Sequence, residues 1–396
     1  MDAQSKDKTE AAAGVGTEVN AELAAQDRRM LESLTWERLG RRPSRIESLL
    51  AGLGTRRFHR LHFEMGDPRT IVARIEDDQN TPRLDAATAS SGTPALPTPP
   101  TWRAEPPLEP LRGFLENAGL PVPKSHGHFP ELGIDLLEDV GERTLAAASG
   151  ELRRSLYAHA CGILPRLQSL TGDPAEIPAF DRRLDRALLE TKAWKWLHWT
   201  IPLILGRQAS AQECEDTTRL FSRVADLVEA APQRLSHRDF KAENLHWLST
   251  TVPPSSAHRS DPLVMIDVQG AFMAPPEYDL VCLLYDLQVD LDEAFVRETF
   301  EETRGKLPDD LDPAVSALRF DALSIVRLCK DVSHVVHAGR ARGDMRRWHE
   351  IPRGLSLIAF SAGRIEHTFK ETRPLLSVIY ALSEALSAAD SGTREQ

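Results

Sequence analysis

The stretch Leu235-Ser236-His237-Arg238-Asp239-Phe240-Lys241-Ala242-Glu243-Asn244-Leu245-His246-Trp247-Leu248 sets a carboxylate and an amide five residues apart. Phosphoryl transfer from ATP needs such a pair side by side, one group to accept the proton of an acceptor hydroxyl and the other to hold a magnesium ion on the phosphates. A second acidic ligand is then required. It follows after a polar loop: Leu263-Val264-Met265-Ile266-Asp267-Val268-Gln269 is an apolar run that reads as a short buried strand delivering Asp267. An isolated H-R-D says little in a chain this long, whereas H-R-D-x-x-x-x-N followed by an apolar run ending in Asp is specific.

Asp239 is therefore the candidate base, and Asn244 and Asp267 are hard oxygen ligands suited to Mg²⁺ shared with phosphates rather than to zinc or copper. His237 reads as a structural hydrogen-bonding residue of the loop. Lys241 has two open readings, neutralising the γ-phosphate or lying in solvent. Asp279, after Pro275-Pro276-Glu277-Tyr278, opens a helix and is expected to brace the catalytic loop rather than touch substrate. Between Asp267 and Pro275 there is no room for the activation segment on which a protein kinase lays a peptide, so a small acceptor fits better.

Composition limits the alternatives. With 396 residues, 41% hydrophobic and 27% charged, the chain can build two lobes with real cores. A net charge of -11 argues against nucleic-acid binding, which needs clustered cations, and no apolar run approaches a membrane span. The start carries no cationic-then-apolar leader, and the expected location is the cytoplasm, with no obligate protein partner evident. Cys161, Cys214, Cys282 and Cys329 lack metal-type spacing and read as buried reduced thiols.

In chain order, residues 1–25 have hardly any large apolar groups and read as a disordered tail. A helix is expected over Asp27 to Gly40 and a second short one from Pro43 to Leu50. Arg57 to Phe63 and Thr70 to Ile75 read as a β-hairpin, with Gly52 and Gly54 before it as candidates to cover a triphosphate. Residues 77–110 read as a proline-rich insertion, and Ile134 to Gly141 as an inner strand ending in a turn. From Glu151 onward the periodicity is chiefly helical. The expectation is an α+β fold of two lobes, protein-kinase-like, with a small β-rich N-lobe over 26–141 and a larger, mostly helical C-lobe over 142–390. The hairpin strand offers no lysine for the α- and β-phosphates; Arg74 could take that role or point to solvent.

The chain resembles the aminoglycoside phosphotransferase-like small-molecule kinases, and among them the bacterial anomeric kinases of N-acetylmuramate and N-acetylglucosamine in cell-wall recycling. The resemblance rests on Arg56 to Leu61, Gly119 to Pro123, Leu136 to Gly141, the catalytic loop, Ile266 to Ala271, Pro275 to Val281, and Arg327 to Lys330. It implies ATP and Mg²⁺ as cofactors, Asp239 as base, Asn244 and Asp267 as magnesium ligands, and Leu137 to Gly141 as a hinge where Glu138 and Val140 meet the nucleotide. The missing strand lysine is similar to the amino-sugar group. Departures at Gly52-Leu53-Gly54 and in the insertion bear on nucleotide grip and sugar choice. Gln269 and Asp286 are candidate acceptor contacts. Two other readings stay open: an aminoglycoside or amino-alcohol kinase, for which Asp286 and Asp290 could meet a cation, and a pseudokinase scaffold, motivated by the missing lysine.

Overall fold

Two-residue periodicity in Arg57–His62 organises the first part of the chain, because it puts His59 and Leu61 on one face and Phe58, Arg60 and His62 on the other. The computed structural model describes residues 26–49, 56–76, 99–100, 103, 105–248 and 262–393. The expectations for the tail 1–25, for Gly52 and Gly54, and for most of the 77–110 insertion lie outside the described residues.

The described residues fall in two compact units. The first holds a five-stranded antiparallel sheet of β1 (Arg45–Leu49), β2 (Arg57–His62), β3 (Thr70–Ile75), β4 (Ser125–Phe129) and β5 (Ile134–Glu138), in the order β1-β2-β3-β5-β4. Helix α1, over 26–39, lays Leu31 and Leu34 on Leu61, Phe63, Ile71, Ala73, Ile75, Ile134 and Leu136. Buried Asp27 pins its start, accepting from Arg57 at 2.9 Å with His59 at 3.2 Å. The opposite face of the sheet carries Arg60, Val72, Arg74, Asp135 and Leu137. Pro43 to Leu50, expected as a helix, contains β1 instead: Ile46 and Leu49 suit a helical spacing, but the segment pairs with β2 in register from Arg45↔His62 to Leu49↔Phe58.

The first unit ends at Asp139, whose carboxylate binds Arg60 at 2.8 Å, and the second takes up the chain at Val140. The second unit also contains Pro94–Val122, and so α2 (Leu111–Asn117), which falls within the span expected for the N-lobe. Its helices are α3 (Gly150–Gln168), α4 (Arg186–Lys195), α5 (Ile201–Leu205), α6 (Ala211–Glu229), α7 (Tyr278–Leu284), α8 (Glu293–Arg304), α9 (Pro313–Arg342), α10 (Ile351–Ile365) and α11 (Thr372–Thr393). A π-helical turn, Trp196–Thr200, joins α4 to α5. Two short pairings, β6 (Arg234–Ser236) with β9 (Phe272–Ala274) and β7 (Leu245–Trp247) with β8 (Leu263–Met265), complete the frame.

Helix α9, 30 residues long, is the spine of this unit. Asp312 caps it through Val315 N–H at 2.9 Å, Pro313 occupies its first turn, and Gly343 ends it in the left-handed conformation. Helix α10 has no counterpart in the sequence expectations. It crosses α9 so closely that a Cβ on Gly354 would meet Val332 at 2.4 Å. Fully buried Glu277 ties the start of α7 to α9, accepting from Arg319 at 2.8 and 3.0 Å and from Ser316 at 2.6 Å. Cys161, Cys282 and Cys329 are buried free thiols, as expected; Cys214 is half-buried. No described helix is long and apolar enough to cross a membrane.

Candidate active site

The loop from β6 to β7 carries the H-R-D-x-x-x-x-N residues, anchored by fully buried Phe240 and Ala242. Asp279, at the start of α7, accepts from Ser236 Oγ and His237 N–H at 2.8 Å and from Arg238 N–H at 3.1 Å. Those bonds hold Arg238 at φ 80°, in the left-handed region that non-glycine residues avoid. His237 Nε2 donates to the Ile266 carbonyl at 3.0 Å, joining the loop to the residue before Asp267.

Asn244 and Asp267 are brought together by the β7–β8 ladder. Leu245 pairs with Met265, and Ile266 N–H donates to the Asn244 carbonyl at 2.9 Å. The Asn244 side-chain amide donates to the Asp239 carbonyl at 2.9 Å, which commits its nitrogen inward and leaves its oxygen as the atom that could meet a cation. Asp267 sits at φ 62° and accepts from Gln269 Nε2 at 2.6 Å. Asn244 and Asp267 thus offer an amide oxygen and a carboxylate, the donor class a hard divalent cation takes. Gln269 is buried and its bond is to Asp267.

Around Asp239 the structure adds groups to which the sequence reading gave no role. Arg327, buried in α9, donates to Asp239 Oδ1 and to the Arg238 carbonyl, both at 2.8 Å, and to Asp331 Oδ2 at 2.8 Å. Lys330 Nζ lies 3.8 Å from Asp239 and 3.0 Å from Asp331, and Arg238 Nε lies 3.9 Å from Asp239. Burial pushes the Asp239 carboxyl up, but Lys330, Arg327, Arg238 and Lys241 outweigh it and hold it well below the usual carboxylate range. It stays 23% exposed, so an ionised oxygen remains within reach of an acceptor. Lys192, buried beneath, donates to Tyr278 Oη at 3.3 Å; burial and the adjacent Arg327 and Lys330 hold it far below the ordinary lysine value. Arg327, Lys330, Asp331 and His334 follow one another at helical spacings of three and four on α9, the only sequence signal that could have grouped them.

The remaining expected site residues have other described partners. Arg74 donates to Asp135 at 2.8 Å and to Glu76 at 2.6 Å, which accounts for its burial without a phosphate. Glu138 N–H donates to the Lys124 carbonyl at 2.8 Å, and Val140 opens the second unit. Lys241 pairs with Glu243; burial lowers it, yet Glu243 and Asp239 raise it further. Asp286 spends its oxygens on Ala242 N–H at 2.9 Å and Gln288 N–H at 3.0 Å, a brace under the loop, and Asp290 is paired with Arg353.

Replacing Arg327 with Lys should weaken the pull on Asp239. A carboxyl held low is lost as a base only when pH falls to its depressed pKa, so the acid limb of kcat/KM is expected to move toward neutral pH in Arg327→Lys; a limb that stays put would contradict this coupling.

The model of a phosphotransferase enzyme family matches residues 48–314. An N-acetylmuramate/N-acetylglucosamine kinase from Pseudomonas putida is 30% identical over 200 residues, covering 49% of this chain and 54% of that protein. The chain therefore spans about half the length of that relative. A kinase of the same name from Neisseria meningitidis is 25% identical over 264 residues, covering 64% and 72%. Among solved structures, the gentamicin-APH(2")-IIa complex superposes with a TM-score of 0.52 at 13% identity, covering 83% of this chain and 95% of that one. The choline kinase LicA of Streptococcus pneumoniae gives 0.51 at 13% identity, covering 84% and 99%. These likenesses show the fold, a two-lobed α+β arrangement of the kinase-like type.

Proposed function

Because the chain belongs to the phosphotransferase enzyme family, we propose that it moves the terminal phosphoryl group of ATP onto the anomeric hydroxyl of an N-acetylated amino sugar, N-acetylmuramate or N-acetylglucosamine. The observation that carries the choice of acceptor is the sign of the charge around Asp239. Arg327, Lys330 and Arg238 all lie within 3.9 Å of its carboxylate, and the neighbouring Asp331 is already held by Arg327 and Lys330. A polycationic aminoglycoside would be repelled there, whereas a neutral or anionic sugar would not. Neither Asp286 nor Asp290 relieves that repulsion, since each has a partner of its own.

An anomeric hydroxyl is more acidic than an ordinary alcohol, so Asp239 need only orient it and collect its proton late. The sugar oxygen forms a bond to the γ-phosphorus as the bond from phosphorus to the ADP oxygen breaks, and the proton ends on Asp239. Asn244 and Asp267 would hold magnesium, which when bound neutralises the phosphate oxygens. Lys330 and Arg327 keep Asp239 ionised at neutral pH and fix the direction of its free lone pairs.

The test is ADP release with magnesium across N-acetylmuramate, N-acetylglucosamine, choline and gentamicin, with phosphorus NMR on the product. A sugar 1-phosphate is expected. A 6-phosphate, or turnover confined to gentamicin or choline, would replace this reading.

A further inference from the structure

Of the cations around the candidate base, two lack a carboxylate ion pair among the described residues: Lys192, which is buried and donates to Tyr278 Oη, and Lys195, which is half-buried. Arg327 has Asp239 and Asp331, Lys330 has Asp331, and Arg238 has Glu105 at 2.7 Å. Lys195, the last residue of α4, instead donates to His334 Nε2 at 3.0 Å. His334 is neutral: burial, then Lys330 and Lys195, push it well below the ordinary histidine value. An ammonium held by a neutral imidazole beside two further cations, which outweigh the carboxylate of Asp331, gains when a further anion joins it.

An aromatic ring lies against that ammonium. The π-helical turn after Lys195 inserts a residue into the helix, a distortion frequent at functional sites, and carries Trp199, over whose ring the Lys195 ammonium lies at 5.6 Å. Trp199 in turn lies against His337 at 4.1 Å and against Trp194 at 5.9 Å. Lys195, Asp331, His334 and His337 are half-buried rather than sealed. We infer that Lys195, seated on His334, reads a carboxylate on the acceptor and sets the preference for N-acetylmuramate, which carries a lactyl carboxylate, over N-acetylglucosamine, which lacks one. The inference rests on the proposed amino-sugar kinase reading and adds the residue that chooses between its two sugars. Burial, Lys330 and Arg238 outweigh Asp331 and pull Lys195 down to about 8, so an arriving carboxylate meets a cation that gains from its presence.

The experiment compares kcat/KM for the two sugars in the parent, Lys195→Met and Lys195→Arg. A charge-assisted hydrogen bond lost from one substrate alone predicts that the ratio of N-acetylmuramate to N-acetylglucosamine falls by about 10- to 100-fold in Lys195→Met, mostly through KM, and is largely kept in Lys195→Arg. Without any variant, added salt should narrow the parent's preference, because a half-exposed ion pair is screened. A ratio unchanged in Lys195→Met, or, should that variant not fold, a parental preference indifferent to salt, overturns the inference alone. A parent inactive on both sugars overturns the proposed function and the inference with it.

Discussion

Asp239→Asn is expected to lower kcat by on the order of 10²- to 10⁴-fold while leaving the KM for ATP and for the acceptor within a few-fold of the parent. The amide is nearly isosteric, and its oxygen can still accept from Arg327 at the place where Oδ1 now sits, 2.8 Å away. What disappears is the group that takes the proton. Because Lys330, Arg327, Arg238 and Lys241 together overcome the cost of burial and hold that carboxyl low, the parent should keep its base ionised throughout the neutral range. Alignment and charge neutralisation survive the substitution, which is why residual turnover above the uncatalysed rate is expected rather than none. A variant with the parent's kcat would mean that the hydroxyl loses its proton elsewhere, and the role given to Asp239 would have to be withdrawn.

The part of this site that could be read from the sequence is the part built within a few dozen residues. Asp239, Asn244 and Asp267 declare themselves because one loop and one short ladder join them, and ladder pairing from Leu245 to Met265 is what the apolar run before Asp267 foretells. Arg327 to Lys330 take part in the resemblance, but in a helix whose faces are almost all buried periodicity signals packing, so nothing in that pattern assigns the two cations to Asp239. Lys195 reaches the same place from α4, 135 residues before Lys330, joined to it only by the fold. Arg74 shows the same limit: its place on a strand could be read from the sequence, whereas its partner Asp135 lies 61 residues away on β5. The fold itself was legible from the turn between two β-rich and helix-rich textures, with exceptions that have physical causes. Strand β1 obeys a partner strand rather than its own spacing, while α10 keeps a regular row of Ile351, Leu355, Ile358, Ala362 and Ile365 on its buried face, an apolar row at helical spacing.

Asp279→Ala is the substitution expected to cost the molecule most in stability. Its carboxylate is the common acceptor of Ser236 Oγ, His237 N–H and Arg238 N–H, and all three lie in the turn that aims Asp239. A buried donor left without an acceptor costs about 1–3 kcal/mol, and two of the three lose theirs outright, since Arg238 N–H keeps Ser236 Oγ at 3.2 Å. Two effects reduce the sum. Asp279 itself is nearly inaccessible and burial pushes its carboxyl up, so removing it also removes the cost of a buried charge, and the turn can relax Arg238 out of φ 80°, a conformation worth on the order of 1–3 kcal/mol of strain. A net loss of about 2–5 kcal/mol in urea unfolding is therefore expected, together with a fall in kcat, since relaxing Arg238 turns the neighbouring Asp239 away from its hydroxyl. Asp279→Asn separates the two consequences: it keeps one acceptor oxygen and the side-chain volume, and should recover part of the stability while leaving kcat depressed. If Asp279→Ala unfolds within about 0.5 kcal/mol of the parent, the carboxylate does not hold the turn, and the strained backbone at Arg238 must be maintained by something other than these three bonds.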